Sequence, residues 1–288
     1  MKYAICNADE SEPGTFKDRQ LLAEQPHLVL EGLLMGMVVT GAEEGWVFIR
    51  HEYGPEESVL YAEVENLREQ GLIGEDVLGT GRRLMLDIFT SPGGYILGEE
   101  TALIECMEGH RGEPRNKPPF PGVFGLWGKP TLMNSVETFA DVPIIVARGA
   151  QWWKDQGVNG SEGLKFFAVS GHVEKPGVYC VPMGTTIRDL LDLAGGCGRR
   201  CEPRVGATRR GLIELPGPRA SRRSARLRHD HRRRLDAGVR SCRRARRGHR
   251  LTGCRDQRAA VLPQRVVRQV RPLPGRFHQG IRPADRHP

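Results

Sequence analysis

The first 150 residues predict an α/β fold, with a parallel or mixed sheet covered by helices. Three observations carry this: short apolar runs alternate with longer stretches of helical periodicity, glycines or charged residues close most of them, and 39% hydrophobic content is enough for a real core. "KYAIC" (2–6) is a short strand ending in a polar turn. "PHLVLEGLLMGMVVTGA" (26–42) has helical periodicity. "GWVFIRHEY" (45–53) is rich in β-favouring residues, and "EESVLYAEVENLREQG" (56–71) is an amphipathic helix closed by Gly71. "RLMLDIFT" (83–90) is a third strand; the glycine turn "SPGGYILGEE" (91–100) leads into "TALIECMEG" (101–109), which starts a helix. Strand, helix, strand, helix, strand is the pattern of a sheet with crossover helices.

From Gly112 to Pro130 the pattern gives way to a Pro- and Gly-rich loop, "GEPRNKPPFPGVFGLWGKP". Ordered loops of that length are usually functional or bridge domains. "MNSVETFADVPIIVARGAQWW" (133–153) reads as one helix. "LKFFAVSGHVEKPGVYCVPMGTTIRDLLDLAGG" (164–196) reads as strand, Lys-Pro-Gly turn, strand and a helix capped by Thr185 or Thr186. That is a small β-grasp-like unit.

Charge divides the chain sharply. Residues 1–197 hold 16 Lys+Arg against 29 Asp+Glu, whereas residues 198–288 hold 27 Arg, no Lys and 6 acids, so the overall charge of +8 describes neither part. The longest apolar run, from Leu28, is interrupted by Glu31 and falls short of the roughly 20 residues of a bilayer span. No basic segment followed by an apolar one opens the chain, so the expectation is a soluble, cytoplasmic protein. The seven cysteines include no Cys-x-x-Cys pair, hence neither a disulfide framework nor a zinc site is expected. Cys6 and Cys106 read as buried free thiols.

Two acidic clusters are candidates for chemistry. "CNADESEPGTFKDR" (6–19) places Asp9, Glu10 and Glu12 just after a strand, where α/β sheets bind ligands and where carboxylates commonly accept hydrogen bonds from ribose hydroxyls. Three carboxylates would repel a phosphate, so they suit the sugar or ring of a nucleotide. The alternative is a polar turn capping a helix, with Thr15 and Asp18 as a box-like start. In "GGYILGEETALIECMEG", glycines before a helix could present N–H groups to an anion, or Glu99 and Glu100 could simply complement the helix dipole. Lys117 could hold a pyrophosphate and Phe120 stack on a base, or the two could be an exposed lysine beside a packed ring. Residues alone leave each choice open.

Their order does not. "CNADESEPGTFKDR", "GGYILGEETAL", "RNKPPFP", "GLWGKPTLMNSVET" and "SGHVEKPGVYCVPMGTT" together resemble the NADH-oxidising flavoprotein (51 kDa or F) subunits of respiratory complex I across residues 2–196. The same module occurs in NAD-reducing hydrogenases and NAD-dependent formate dehydrogenases. The resemblance implies a partial Rossmann-like FMN/NADH-binding α/β domain over 1–150, an SLBB-type β-grasp domain over 160–197, and FMN, NAD(H) and a 4Fe-4S cluster as cofactors. It assigns Asn7, Asp9, Glu10, Tyr95, Gly98, Glu99, Asn134 and Ser135 to FMN, and Glu12, Glu100, Lys117 and Phe120 to NADH. Where the family has paired asparagines, this chain has Asn134-Ser135, which shortens the second contact. The implied chemistry is hydride transfer from NADH C4 to flavin N5, then single-electron release to iron–sulfur clusters. The implied partners are 24 kDa-type and 75 kDa-type subunits, in a peripheral arm on the cytoplasmic face that meets the membrane only through the complex.

Two family features are missing from this sequence: a glycine-rich loop with a lysine for the FMN phosphate, expected before the first motif, and the cysteine run of the cluster domain, expected after the last. The tail accounts for the second. An Arg-rich stretch without Lys, Tyr or Trp resembles GC-rich DNA read in the wrong frame. If each codon as translated is the wobble base of one codon plus the first two bases of the next, "VLPQRVVRQVRPLPGRFHQ" (261–279) is compatible with F-F-R-N-E-S-C-G-K-C-x-P-C-R-V-G-S-T-K, the missing cluster motif. "LDAGVRS" (235–241) and "TRRGLIELP" (208–216) are compatible with the family-like S-M-L-G-S-G-A and P-G-G-x-S-S-N-F-L. The expectation is therefore a frame break near 196–200, and a tail over 198–288 without fixed structure. The competing reading, a nucleic-acid-binding module with a basic arm, is disfavoured because the arm has no aromatic residues interleaved for base stacking. No nucleic-acid partner is expected.

Overall fold

The computed structural model describes residues 1–196 and, beyond them, the backbone of two short strands, Gly206–Ala207 and Leu212–Glu214. The tail's expected lack of structure, its re-framed motifs and the cysteines at 197, 201, 242 and 254 lie outside the described residues.

The first sheet is parallel throughout. Strands β1 (Tyr3–Ala8), β2 (Glu44–Arg50), β3 (Met85–Ser91) and β4 (Thr131–Ser135) are ordered β3-β2-β1-β4. Residues 3 to 8 of β1 alternate between two apolar layers. Ala4, Cys6 and Ala8 pack under α1 (Lys17–Glu24), α2 (Pro26–Thr40), α3 (Gly54–Glu69) and α5 (Val136–Arg148), while Tyr3 and Ile5 pack under α4 (Glu100–Met107). A strand buried on both faces must read as a continuous apolar run, and "YAIC" does. Helix α2 lies so close to α5 that a Cβ at Gly32 would sit 1.9 Å from the Phe139 carbonyl oxygen. Gly41, left-handed at φ 71°, ends α2.

The chain moves outward from β1 to β2 to β3 and then returns to the other side of β1 for β4. The strand order therefore reverses between β1 and β4, and in open α/β sheets ligands bind in the crevice that such a reversal opens at the strands' carboxyl ends.

Three expectations change. Residues 133–153 are not one helix: Met133–Ser135 complete β4, and Gly149, at φ 87°, separates α5 from α6 (Ala150–Asp155). Helix α1 starts without the Thr15–Asp18 box; Phe16 is its N-cap and makes no side-chain cap, and Thr15 Oγ1 is buried without a partner. Of the two predicted buried thiols Cys6 is buried and Cys106 only partly so; both are free.

The β-grasp unit forms as expected, with β5 (Leu164–Val169) antiparallel to β6 (Gly177–Pro182), and α7 (Ile187–Leu193) started by a Thr186–Asp189 capping box. Backbone strands β7 (Gly206–Ala207) and β8 (Leu212–Glu214) complete this sheet in the order β6-β5-β8-β7, β8 running parallel to β5. Among the described residues, no helix is long and apolar enough to cross a membrane.

Candidate FMN and NADH site

Most of the residues singled out in the sequence gather at the carboxyl edge of the first sheet; Phe120 is bonded to none of them, and its neighbour Pro121 accepts from the Thr131 amide at the opposite, amino end of β4. Asn7, at the end of β1, stands opposite Ser135 of β4 in the strand register, with Cys6 opposite Asn134. The Asn7 side chain donates to the Gly98 carbonyl at 3.1 Å and accepts from the Asp9 amide at 3.1 Å, tying the loop after β1 to the glycine turn after β3. Tyr95 Oη donates to Glu12 at 2.8 Å, a second tie between the same two loops. Gly93 (φ 94°) and Gly94 (φ 135°) give that turn a backbone closed to most side chains.

The carboxylates divide by what they touch. Asp9 is 9% exposed; one of its oxygens accepts from Ser11, and the other, Oδ2, is buried without a partner. Burial pushes its carboxyl up. Glu10 turns inward instead. Its carboxylate accepts from the Asp18 and Arg19 amides and from Tyr53 Oη, all at 3.1 Å, so it caps the first turn of α1 in place of Phe16. Burial, reinforced by the nearby Asp18 charge, pushes it up to about 7. Glu99 is the N-cap of α4, accepting from the Thr101 and Ala102 amides at 2.9 Å. Burial opposes ionisation of Glu99, but the Thr101 hydroxyl, these amides and Lys117 more than offset it and hold the carboxyl below its usual value.

Lys117 reaches both Glu99, at 2.9 Å, and Glu100. Phe120, 58% exposed, is on the same proline-rich loop. Ser135 caps α5 through the Thr138 amide at 3.4 Å. Thus three of the helix starts at this edge, those of α1, α4 and α5, are each satisfied by a side chain, two of them by carboxylates, and the edge as a whole is acidic. It matches a sugar or ring better than a phosphate.

Sequence reasoning missed the end of β2. Arg50 donates to the Glu10 carbonyl, and Tyr53 lies with its ring 5.4 Å from the Arg50 guanidinium while its hydroxyl holds the Glu10 carboxylate. The only signal was position: "IRHEY" follows a strand at its carboxyl end, yet its composition reads as more strand.

A family profile described as the Nuo51 FMN-binding domain matches residues 1–144, and a second, the SLBB domain, matches residues 166–206. The chain belongs to the Nuo51 family. Its relatives include the NADH-quinone oxidoreductase F subunit of Aquifex aeolicus, 48% identical over 196 residues, which are 68% of this chain and 46% of that protein. The corresponding Escherichia coli protein is 45% identical over 197 residues, 68% of this chain and 44% of that one. An NADP-reducing hydrogenase component, HndC of Solidesulfovibrio fructosivorans, is 44% identical over 198 residues, 68% of this chain and 40% of its own. A solved NAD+-reducing [NiFe]-hydrogenase in its H2-reduced state aligns with TM-score 0.65 and 38% identity, over 72% of this chain and 35% of that one. The chain thus spans less than half the length of these relatives.

The Nuo51 family binds FMN, and the residues at this edge fit its ring and ribityl end. Asp9 Oδ2 is a buried acceptor awaiting a donor, and ribityl hydroxyls and the flavin N–H are donors.

Proposed function

We propose that this chain carries the flavin-ring and NADH-facing half of an electron-input subunit, oxidising NADH with FMN. The observation that carries the reading is the buried, partnerless Asp9 Oδ2 just past the end of β1, at the strand-order reversal, with Asn7 and Gly98 beside the residue. FMN, when bound, accepts a hydride from NADH and passes electrons on singly. The protein positions. Asn7 fixes the Asp9 amide and the glycine turn, Asp9 accepts from the ligand, and Glu12, Tyr95, Glu100, Lys117 and Phe120 form the outer, exposed side where a dinucleotide approaches. Glu10 and Glu99 act one layer back, by holding the helix starts. A purified chain should quench flavin fluorescence on binding and bleach at the flavin band when NADH is added without oxygen. Asp9→Ala should weaken FMN binding about 10- to 100-fold, the scale of one hydrogen bond to a charged group.

In a complex I, the partners are the 24 kDa-type and 75 kDa-type subunits, in a peripheral arm on the cytoplasmic face. A hydrogenase setting is a second reading, favoured by HndC and by the aligned hydrogenase. Co-purification of hydrogenase subunits rather than quinone-reductase subunits would select it.

The domain division is proposed as 1–150, 160–197 and a tail over 198–288 that is out of frame. Alignments with relatives that span 196 to 198 residues support a break near 196–200, although the SLBB match runs on to residue 206. Resequencing the locus tests this: a one-base change should restore the re-framed cluster motif, and an intact frame through the tail would end the idea.

A further inference from the structure

Two motifs that the resemblance left without a role, the Lys17-Asp18 pair and Glu137, meet beneath the FMN edge in a buried ion cluster. Lys17 Nζ is 2.6 Å from Asp18 and 3.0 Å from Glu137, and all three side chains are at most 10% exposed. Glu137 is completed from the other domain: its Oε2 takes Lys165 Nζ, and its Oε1 accepts the Phe166 amide at 2.9 Å, both from β5. Burial alone would discharge Lys17, but Asp18 and then Glu137 hold its ammonium charged. Asp141, one turn along α5, and Cys180 of β6 also face the cluster.

A buried ion cluster is weak evidence for stability, because well-packed apolar side chains of the same volume do as well or better; what it supplies is one fixed geometry. Here the geometry leads to the site by two routes. Glu137 is in the first turn of α5, directly after Asn134 and Ser135. Asp18, bonded to Lys17, donates its amide to Glu10, whose own carbonyl is held by Arg50.

We propose that Lys165 of the β-grasp domain is a positioning residue of the FMN site, acting through Glu137 and Lys17 on the Asn134–Ser135 end of β4 and the Glu10 loop. The proposal rests on the functional reading above, deepening it by making the β-grasp domain part of the flavin site.

The test uses the full chain and three variants: Lys165→Met, Lys165→Arg and Leu190→Ala, the last weakening the β-grasp core from α7 rather than from the strand paired with Lys165. FMN affinity is read by fluorescence quenching, and backbone amide exchange is followed at residues 17–19 and 134–138. Lys165→Met should raise the FMN Kd about tenfold, within the range for mutations that couple through a network, and speed exchange in both segments. Lys165→Arg should restore both. Leu190→Ala should lower the melting temperature yet leave FMN affinity and those amides unchanged. The proposal is overturned if Lys165→Met matches the native chain, or if Leu190→Ala loosens FMN equally. Should the native chain bind no FMN, the functional reading fails, and the exchange comparison alone then decides the coupling.

Discussion

Asp9 and Glu137 are both acidic and buried at 9% and 5% exposure, yet their surroundings are opposite. At Glu137 both oxygens are used, two lysines are in contact, and the carboxyl is held below its usual value because Lys17 and Lys165 outweigh the effect of burial. At Asp9 one oxygen has no partner and burial raises the carboxyl. An internally satisfied charge is part of the architecture, whereas an unsatisfied one is kept for something that arrives. Glu10 and Glu99, which cap helices, belong with Glu137.

Substitutions can break or sharpen this contrast. Glu137→Ala leaves Lys165 and the Phe166 amide without this partner and Lys17 with Asp18 alone, and should destabilise the chain by about 3–5 kcal/mol in denaturant unfolding, the cost of removing one partner of a buried pair. Asp9→Asn should do the reverse. It removes a carboxylate that burial disfavours, so stability at pH 8 should hold or rise, while FMN affinity falls about 10-fold or more with loss of a charged acceptor. Equal stability losses at the two positions would erase the contrast.

The pH dependence has a definite sign. Burial, with Glu137 close by, pushes Asp141 up to about 8. Its folded state therefore holds a proton that the unfolded chain, with an ordinary carboxyl, has released, and stability must fall as pH rises from about 4 to 8. Glu10, raised to about 7, adds to the same slope. Asp141→Asn should flatten the profile and stabilise the chain at pH 8 by about 2 kcal/mol, allowing for solvent screening of a partly exposed group. The smallest effect belongs to the outer side. Tyr95→Phe removes the bond to Glu12, costing no more than about 0.5–1.5 kcal/mol of stability, and should raise the KM for NADH a few-fold with kcat little changed.

Much of this was legible in the sequence, and the illegible parts share a cause. The β1 loop and the glycine turn stood out because their glycines and acids are clustered within a few residues. The capping box at Thr186 was legible because caps are local. Strand β4 was not: five residues, Thr-Leu-Met-Asn-Ser, have no periodicity that separates a short strand from the start of the helix that follows. Arg50 and Tyr53 were hidden because their role depends on where β2 ends. The Lys17–Glu137–Lys165 cluster joins residues more than a hundred positions apart, which only the fold brings together. Glu10 is the instructive intermediate case. Its motif marked it as a site residue, and the structure shows its carboxylate holding the start of α1.

The most direct measurement is anaerobic titration of the purified chain with FMN and then NADH, following the flavin band, with Asp9→Ala alongside. The account predicts saturable FMN binding that Asp9→Ala weakens and bleaching by NADH; equal FMN binding by native and Asp9→Ala chains, or bound flavin that NADH leaves oxidised, would contradict it.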